Sequence, residues 1–163
     1  EGLPDACHWV DGLAAWLLDR GEGEEAAGVV DRMSSMLMLS NHERSDLQDL
    51  FRIRRALMHE WKAMEVAARK RLAVEHVFAR ALALFAVEAP EAGAEIAVDY
   101  ETLRAEGLAP APFLNGNDLL AAGFTPGPRL GEVLDEIYDA QLEGRVMSVE
   151  DAMERARQLM AES

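Results

Sequence analysis

Cysteine is almost missing from this chain: 163 residues contain one, Cys7. A single thiol closes no intrachain disulfide and falls short of any cysteine-rich zinc pattern. That fits a reducing compartment, and a cytoplasmic location is the expectation. Aromatic residues are scarce too, at 6%. Leu, Val, Met and Ala must therefore fill the core that a half-apolar chain of this length is able to bury. No window approaches the roughly 18 consecutive apolar residues that a membrane span needs, so no membrane partner is expected. The start, Glu1-Gly2-Leu3-Pro4, lacks both a basic n-region and an initiating Met. It does not read as a signal peptide but as a boundary cut from a longer protein.

Positive charge is also in short supply. Sixteen Lys and Arg stand against thirty Asp and Glu, a net charge of −14. Phosphate backbones are held by Lys and Arg, so the bulk balance argues against nucleic acid. The charge is uneven, however. Between Phe51 and Leu72 lie Arg52, Arg54, Arg55, Lys62, Arg69, Lys70 and Arg71, opposed only by Glu60 and Glu65, a local balance of +5. Salt screens distant acids beyond about 8–10 Å, so such an island makes a local patch unless acids from elsewhere fold onto it.

Alternating strand patterns are scarce, and helical periodicity runs throughout. The expected fold is all-α, an elongated bundle of about seven to eight helices with no significant sheet. Trp9, Leu13, Trp16 and Leu17 recur at helical spacing until Gly21-Glu22-Gly23 interrupts. A second helix is expected from Glu24 to about Leu39, with Val29, Val30, Met33 and Leu37 on one side. The cluster Met33, Met36 and Met38 reads as core filling. Ser40-Asn41-His42-Glu43 forms a capping box that starts the next helix, with the stripe Leu47, Leu50, Ile53, Leu57, Trp61 and Met64. No Gly or Pro occurs from Ser40 to Val87. Either one long helix or two meeting near Trp61 is expected there. Val74, Val77, Phe78, Ala81, Leu82 and Phe85 make the following buried face.

Pro90 stops that run. A helix is expected over about Gly93 to Ala105, burying Ile96, Tyr100 and Leu103 and closing at Gly107. Ala109-Pro110-Ala111-Pro112 is a proline linker. It divides a helical region of residues 1–108 from a C-terminal helical region of residues 109–163. Asn117 is expected to cap a short helix, Asp118 to Ala122, ended by Gly123. Thr125-Pro126-Gly127-Pro128 makes a tight turn, and Pro128 suits the first turn of a helix running to about Glu143. Its buried positions are Leu130, Val133, Leu134, Ile137, Tyr138 and Leu142. Gly144 closes it, and Ser148 caps a final helix with Asp151 three residues on.

Catalysis needs convergent groups, and no recognisable set occurs. His8, His42, His59 and His76 are scattered. His59-Glu60 lacks the second histidine of a zinc-protease helix. Cys7 and His8 supply at most two metal ligands. No Gly-rich phosphate loop follows a strand. One local feature has a mechanism. In Thr125-Pro126-Gly127-Pro128-Arg129, Gly127 permits close approach of another backbone. The amides that follow lie at a helix N-terminus, where the dipole favours anions, and Arg129 adds a mobile positive charge.

The same residues carry a resemblance. Pro112-Phe113-Leu114-Asn115-Gly116-Asn117-Asp118-Leu119-Leu120, then Gly123, Pro126-Gly127-Pro128-Arg129-Leu130-Gly131, Leu134 and Gln141-Leu142-Glu143-Gly144 form one spaced set. Together with Glu150-Asp151-Ala152 they resemble the C-terminal signature of tRNA nucleotidyltransferases, the bacterial CCA-adding enzymes of the poly(A) polymerase family. Leu37-Met38-Leu39-Ser40-Asn41-His42-Glu43-Arg44 is similar to that family's L-x-L-S-N-x-E-R, and Arg69-Lys70-Arg71-Leu72 to its basic K-R-L segment. The family is built as head, neck, body and tail. The head carries a G-G-x-V-R-D loop, paired metal-binding aspartates and the segment that reads CTP or ATP, and none of these motifs occurs in this sequence.

The resemblance therefore implies body and tail: a catalytically inactive part that holds the elbow and T-arm of tRNA. No cofactor is implied for this part, and Mg with CTP or ATP is implied only for the head. The RNA-contact candidates are Arg52, Arg55, Lys62, Arg69, Lys70, Arg71, Gly127 and Arg129. On a straight helix Arg55, Lys62 and Arg69, spaced by seven, form one stripe. The alternative expectation is a helical protein-interaction module, with a homodimer as its simplest form.

Overall fold

The computed structural model describes residues 9–19 and 26–161. Cys7, His8 and the Gly21-Glu22-Gly23 break lie outside the described residues, as does the side chain of Val29. Nine α-helices and one 3-10 turn are present among the described residues, with no strand. They are α1 (Trp9–Asp19), α2 (Ala26–Leu37), α3 (Asn41–His59), the 3-10 turn (Trp61–Ala63), α4 (Val66–Ala73), α5 (Phe78–Glu88), α6 (Pro90–Glu106), α7 (Gly116–Ala121), α8 (Pro128–Leu142) and α9 (Val149–Ala161). The chain is all-α, and no described helix is long and apolar enough to cross a membrane.

Two compact units emerge. The first takes residues up to Met64 together with Leu72–Ala105, and the second takes Glu65–Arg71 with the residues from Glu106 onward. In the first unit α3 is central and packs against α1, α2 and α5. Its start follows from the sequence. The Ser40 side chain accepts from the Glu43 amide at 3.3 Å, and the Glu43 carboxylate accepts from the Ser40 amide at 2.8 Å. That satisfies amides which the helix itself leaves unpaired.

The helix-rich stretch after Ser40 breaks near Trp61, as the two-helix alternative expected, but it breaks again between Ala73 and Phe78, so three α-helices fill it rather than two. Glu60 ends α3, and Met64 turns extended at ψ 141 before α4 begins. The physical cause is Trp61. It is 2% exposed, and its indole N–H donates to Asp99 on α6 at 2.8 Å. An aromatic of roughly 150–250 Å², buried at about 25 cal/mol per Å², stabilises by several kcal/mol. That is enough to outweigh the lost continuity of one helix.

Several expectations need correction. Met36 and Met38 are 75% and 90% exposed rather than core filling. Met38 adopts φ 53, the left-handed conformation that closes α2, just past its last residue. Val74 is 49% exposed because it lies in the turn between α4 and α5. Pro90 opens α6 rather than standing apart from it; at a first helical position its missing N–H costs nothing. The cap of α7 is Asn115, two residues before the expected Asn117.

The second unit has its own core, drawn from α7, α8, α9 and the segments between them. Leu114, Leu119, Val133, Ile137, Ala152 and Leu159 meet there, with Phe113, Phe124 and Leu134 packed against them. Gly123 (φ +90) and Gly144 (φ +72) end α7 and α8 in the left-handed region that glycine enters without penalty. Pro128 occupies the first turn of α8 as expected.

Candidate nucleic-acid interface

The signature residues of the second unit are joined by hydrogen bonds as well as by apolar packing. Gln141 on α8 accepts from the Phe113 amide at 3.0 Å and donates to the Ala111 carbonyl at 2.8 Å. Tyr138 donates to the Pro110 carbonyl at 3.1 Å. One face of α8 thus fixes the whole proline segment. Asn115 accepts from the amides of Asn117 and Asp118, and the Asp118 carboxylate accepts in turn from the Asn115 amide at 2.8 Å. Residues far apart in the P-x-L-x-G-x-D-L and Q-L-x-G patterns are therefore one structural unit.

The turn before α8 is open. Gly127 is the N-cap of α8 and makes no side-chain cap. Its φ of 164 is extended backbone, which any residue adopts, and a Cβ there meets nothing within 4 Å. The glycine is thus required neither by strain nor by internal packing, and the space around it is available to something outside the chain. The anion-binding potential of the helix start is thinner than the sequence implied. Pro128 has no N–H, and the Leu130 amide already donates to the Gly127 carbonyl at 3.0 Å. Arg129 lies beside this turn, reaching Glu132 at 3.1 Å and the Leu159 carbonyl at 3.3 Å.

The basic island is largely answered by acids. Arg52 pairs with Asp49 at 2.9 Å and with Glu75, and the Glu75 hydrogen bond holds its pKa above the ordinary value. Arg54 meets Glu88 at 2.6 Å. Lys62 meets Glu95 at 2.7 Å, and that hydrogen bond lowers the pKa of the Glu95 carboxyl. Arg71 pairs with Asp139 at 2.6 Å and lies over the Tyr138 ring at 5.4 Å. Lys70 is only 6% exposed. It donates to the Leu142 carbonyl at the end of α8, 3.0 Å away, and pairs with Glu106 at 3.3 Å. A lysine at the last carbonyls of a helix satisfies an acceptor the helix leaves open and complements its dipole.

The single stripe on a straight helix does not form. Arg55 is on α3, Lys62 is in the 3-10 turn and Arg69 is on α4. The break at Trp61 is the reason. Arg55 stands apart from the other members of the island: it is exposed, and no carboxylate among the described residues pairs with it.

The most tightly knit polar cluster was not visible in the sequence reading. Arg80 on α5 donates to Asp11 on α1 at 2.8 Å and to Asp46 on α3 at 2.7 Å. His76 lies 2.8 Å from Asp46. Both aspartates are buried, at 6% and 3% exposure. Burial raises the Asp46 pKa. Hydrogen bonds from Arg80 and His76, with the charges of Arg80 and His42, outweigh that and hold it below the usual carboxylate value. The arrangement ties three helices together, since each buried carboxylate is paired and hydrogen-bonded, while Arg80 Nη2 meets Asp11 at 2.7 Å as an ion pair without a hydrogen bond. A signal was present: Asp46 interrupts the apolar side of a helix whose neighbours Leu47, Leu50 and Ile53 are all core. Among the described residues no group of three or more His, Cys, Asp or Glu is arranged to hold a metal ion.

With this geometry in hand, comparison with known proteins adds one match. A family model described as tRNA nucleotidyltransferase domain 2 matches residues 30–156. That span takes in the capping box of α3, the basic island and the whole pinned segment of the second unit. No curated protein and no solved structure matches the chain significantly.

Proposed function

Because the chain belongs to the tRNA nucleotidyltransferase domain 2 family, matched from residue 30 to residue 156, we propose that it holds tRNA for 3′-end completion. It is the non-catalytic portion of an enzyme that adds CCA, or part of it, to tRNA 3′ ends. Family membership is the observation that carries this reading. The chain grips the elbow and T-arm while a separate head, using Mg and CTP or ATP, transfers the nucleotides. Alone it is inactive, since the G-G-x-V-R-D loop is not in its sequence. The open turn at Gly127 and the exposed Arg55 support the reading, because double-helical RNA is recognised through shape, phosphates and 2′-hydroxyls. Such binding belongs in the cytoplasm, where tRNA is completed.

Fluorescence anisotropy of a labelled tRNA, titrated with this chain at about 50 and 200 mM salt, tests the proposal, because each phosphate contact steepens the salt dependence. Saturable binding that weakens several-fold at the higher salt is the expected result. No binding at the lower salt removes the tRNA-holding role from this chain. A second reading, a helical protein-interaction or homodimerisation module, has one observation in its favour: Met36, Leu37 and Met38 are at least half exposed. Sedimentation over a tenfold range of protein concentration distinguishes it.

A further inference from the structure

Helix α1 is apolar on both its faces. Its 11 residues carry two charges, Asp11 and Asp19. Asp11 points inward to Arg80, and Asp19 ends the helix. Val10, Ala14 and Leu17 are fully buried where α1 packs on α3 and α5. At about 100° per residue, Trp9, Gly12, Leu13 and Trp16 fall within about 100° of one another on the outer side. A surface helix normally turns a charged face to water. This one turns out two tryptophans, each 48% exposed. The Trp9 indole N–H is taken by Glu43 at 3.1 Å, so what Trp9 offers outward is apolar ring. Gly12 stands between the two rings. A Cβ there meets nothing within 4 Å, and its backbone is not in the left-handed region. Glycine inside a helix is unfavourable relative to alanine, so neither backbone nor internal packing accounts for it. Met36, Leu37 and Met38, all at least half exposed, lie at the Trp9 end. Glu43 joins them to it, accepting from the Trp9 indole and from the amide of Ser40, two residues past Met38.

We propose that the outer face of α1, extended by the Met36–Met38 corner, is a contact between two copies of this chain. The inference is independent of the tRNA-holding reading and gives the homodimer a defined surface. Symmetry is the first argument. A twofold contact pairs residue i with j and j with i. Trp9 and Trp16 lie at equal distances from the midpoint between Gly12 and Leu13, so an antiparallel α1 pair sets the Trp9 of each copy against the Trp16 of the other. Gly12 lets the two backbones approach at the centre. Charge is the second. A charged side chain near the twofold axis meets its own copy, and this sector carries none. Area is the third. Half of each tryptophan with the exposed parts of Met36, Leu37 and Met38 makes roughly 450 Å² of apolar surface. A standard interface takes about 800 Å² from each partner, a little over half of it apolar, so the patch matches that share. The acids at its ends, Glu43 and Asp19, come near each other across the pair, and each copy carries a net −14. Salt screens that repulsion beyond about 8–10 Å. Association therefore strengthens as salt rises, the opposite of phosphate binding.

Analytical ultracentrifugation of the full chain over about 1–100 μM, at about 50 and 500 mM salt, gives the dimer dissociation constant. Tryptophan emission is read on the same samples. Trp61 is 2% exposed, so a blue shift with concentration reports Trp9 and Trp16. The expected result is a reversible dimer, tighter at the higher salt, whose emission shift tracks its mass. Gly12→Glu puts a like charge at the centre of the contact, in space the chain itself leaves open and on a better helix former. It is expected to keep the parent circular dichroism spectrum and to weaken dimerisation at least tenfold. Met147→Glu, at a residue 75% exposed in the second unit, is expected to shift it less than about threefold. A chain that stays monomeric at both salts overturns the inference, as does a folded Gly12→Glu variant that dimerises as tightly as the parent. Association that weakens with salt, or that leaves the tryptophan emission unmoved, places the contact elsewhere and overturns it too. The tRNA-holding reading stands or falls separately, on the anisotropy titration.

Discussion

Replacing Gly93 with alanine sets two effects of opposite sign against each other. Within a helix, alanine is favoured over glycine by about 1 kcal/mol. Gly93, however, lies in the first turn of α6, at the corner where the chain turns back from the last turn of α5. A Cβ built there stands 2.6 Å from the Ala86 Cα, 2.7 Å from its Cβ and 3.3 Å from its N. Carbon atoms in contact prefer about 3.5–4.0 Å, so the gap must open by about 1 Å. The obstructing atoms are mostly backbone and do not swing aside, so α5 and α6 must separate. Overpacking of this kind costs about 1–3 kcal/mol, and the same separation strains the Trp61–Asp99 hydrogen bond that anchors α6. The net expectation is a loss of up to about 2 kcal/mol after the propensity gain. At about 2–4 °C per kcal/mol for a chain of this size, the melting temperature falls by up to about 8 °C. Gly131 supplies the internal control. It lies in α8 with nothing within 4 Å of a built Cβ, so Gly131→Ala meets no clash and is expected to stabilise by up to about 1 kcal/mol. Thermal denaturation followed by circular dichroism reads both. Equal stabilisation of the two variants refutes the claim that the α5–α6 approach requires glycine.

Other consequences follow from the same contacts. Asp46→Asn leaves Arg80 with a missing carboxylate and is expected to cost roughly 3 kcal/mol near neutral pH. Because the folded-state pKa of Asp46 is depressed, its contribution is complete above the unfolded value of about 3.9 and fades as pH falls below it. Urea melts at pH 7 and pH 3 should therefore show the gap between parent and variant narrowing in acid, and a constant gap counts against the pairing. Lys70→Met removes the donor at the end of α8 and should destabilise the chain by roughly 1–3 kcal/mol while leaving the salt slope of tRNA binding unchanged. A lowered slope in that variant places Lys70 in the RNA contact after all. Asn115→Ala is expected to cost about 1 kcal/mol through the lost cap of α7, read in the same melts; no loss means the cap is dispensable.

The fold was legible where local chemistry decides it. The Ser40–Glu43 capping box, Pro128 at the first turn of α8 and the left-handed glycines at 107, 123 and 144 all act within a few residues of themselves. The apolar stripe of α3 was legible because helical period and burial agree there. What stayed hidden depends on distant partners. The end of α3 has no breaker residue; it is set by a pocket and an Asp99 carboxylate that receive Trp61 from 38 residues away. The exposure of Met36 and Met38 follows from a left-handed cap built on a methionine, which carries none of glycine's signal. The candidate surface was half legible. Counting charge located the basic island, but the acids that answer it come from Glu75, Glu88, Glu95 and Asp139. No sequence window joins them to it. The resemblance in residues 112–144 succeeded because its spaced residues are held by one helix face and one core.

Hydroxyl-radical footprinting of tRNA bound to this chain tests the central claim most directly, since it reports which backbone segments the protein covers. The account predicts protection of the T-arm and elbow, fading as salt rises, with the 3′ end left accessible. Protection confined to the 3′ end or the anticodon arm, under conditions where the chain binds, contradicts it.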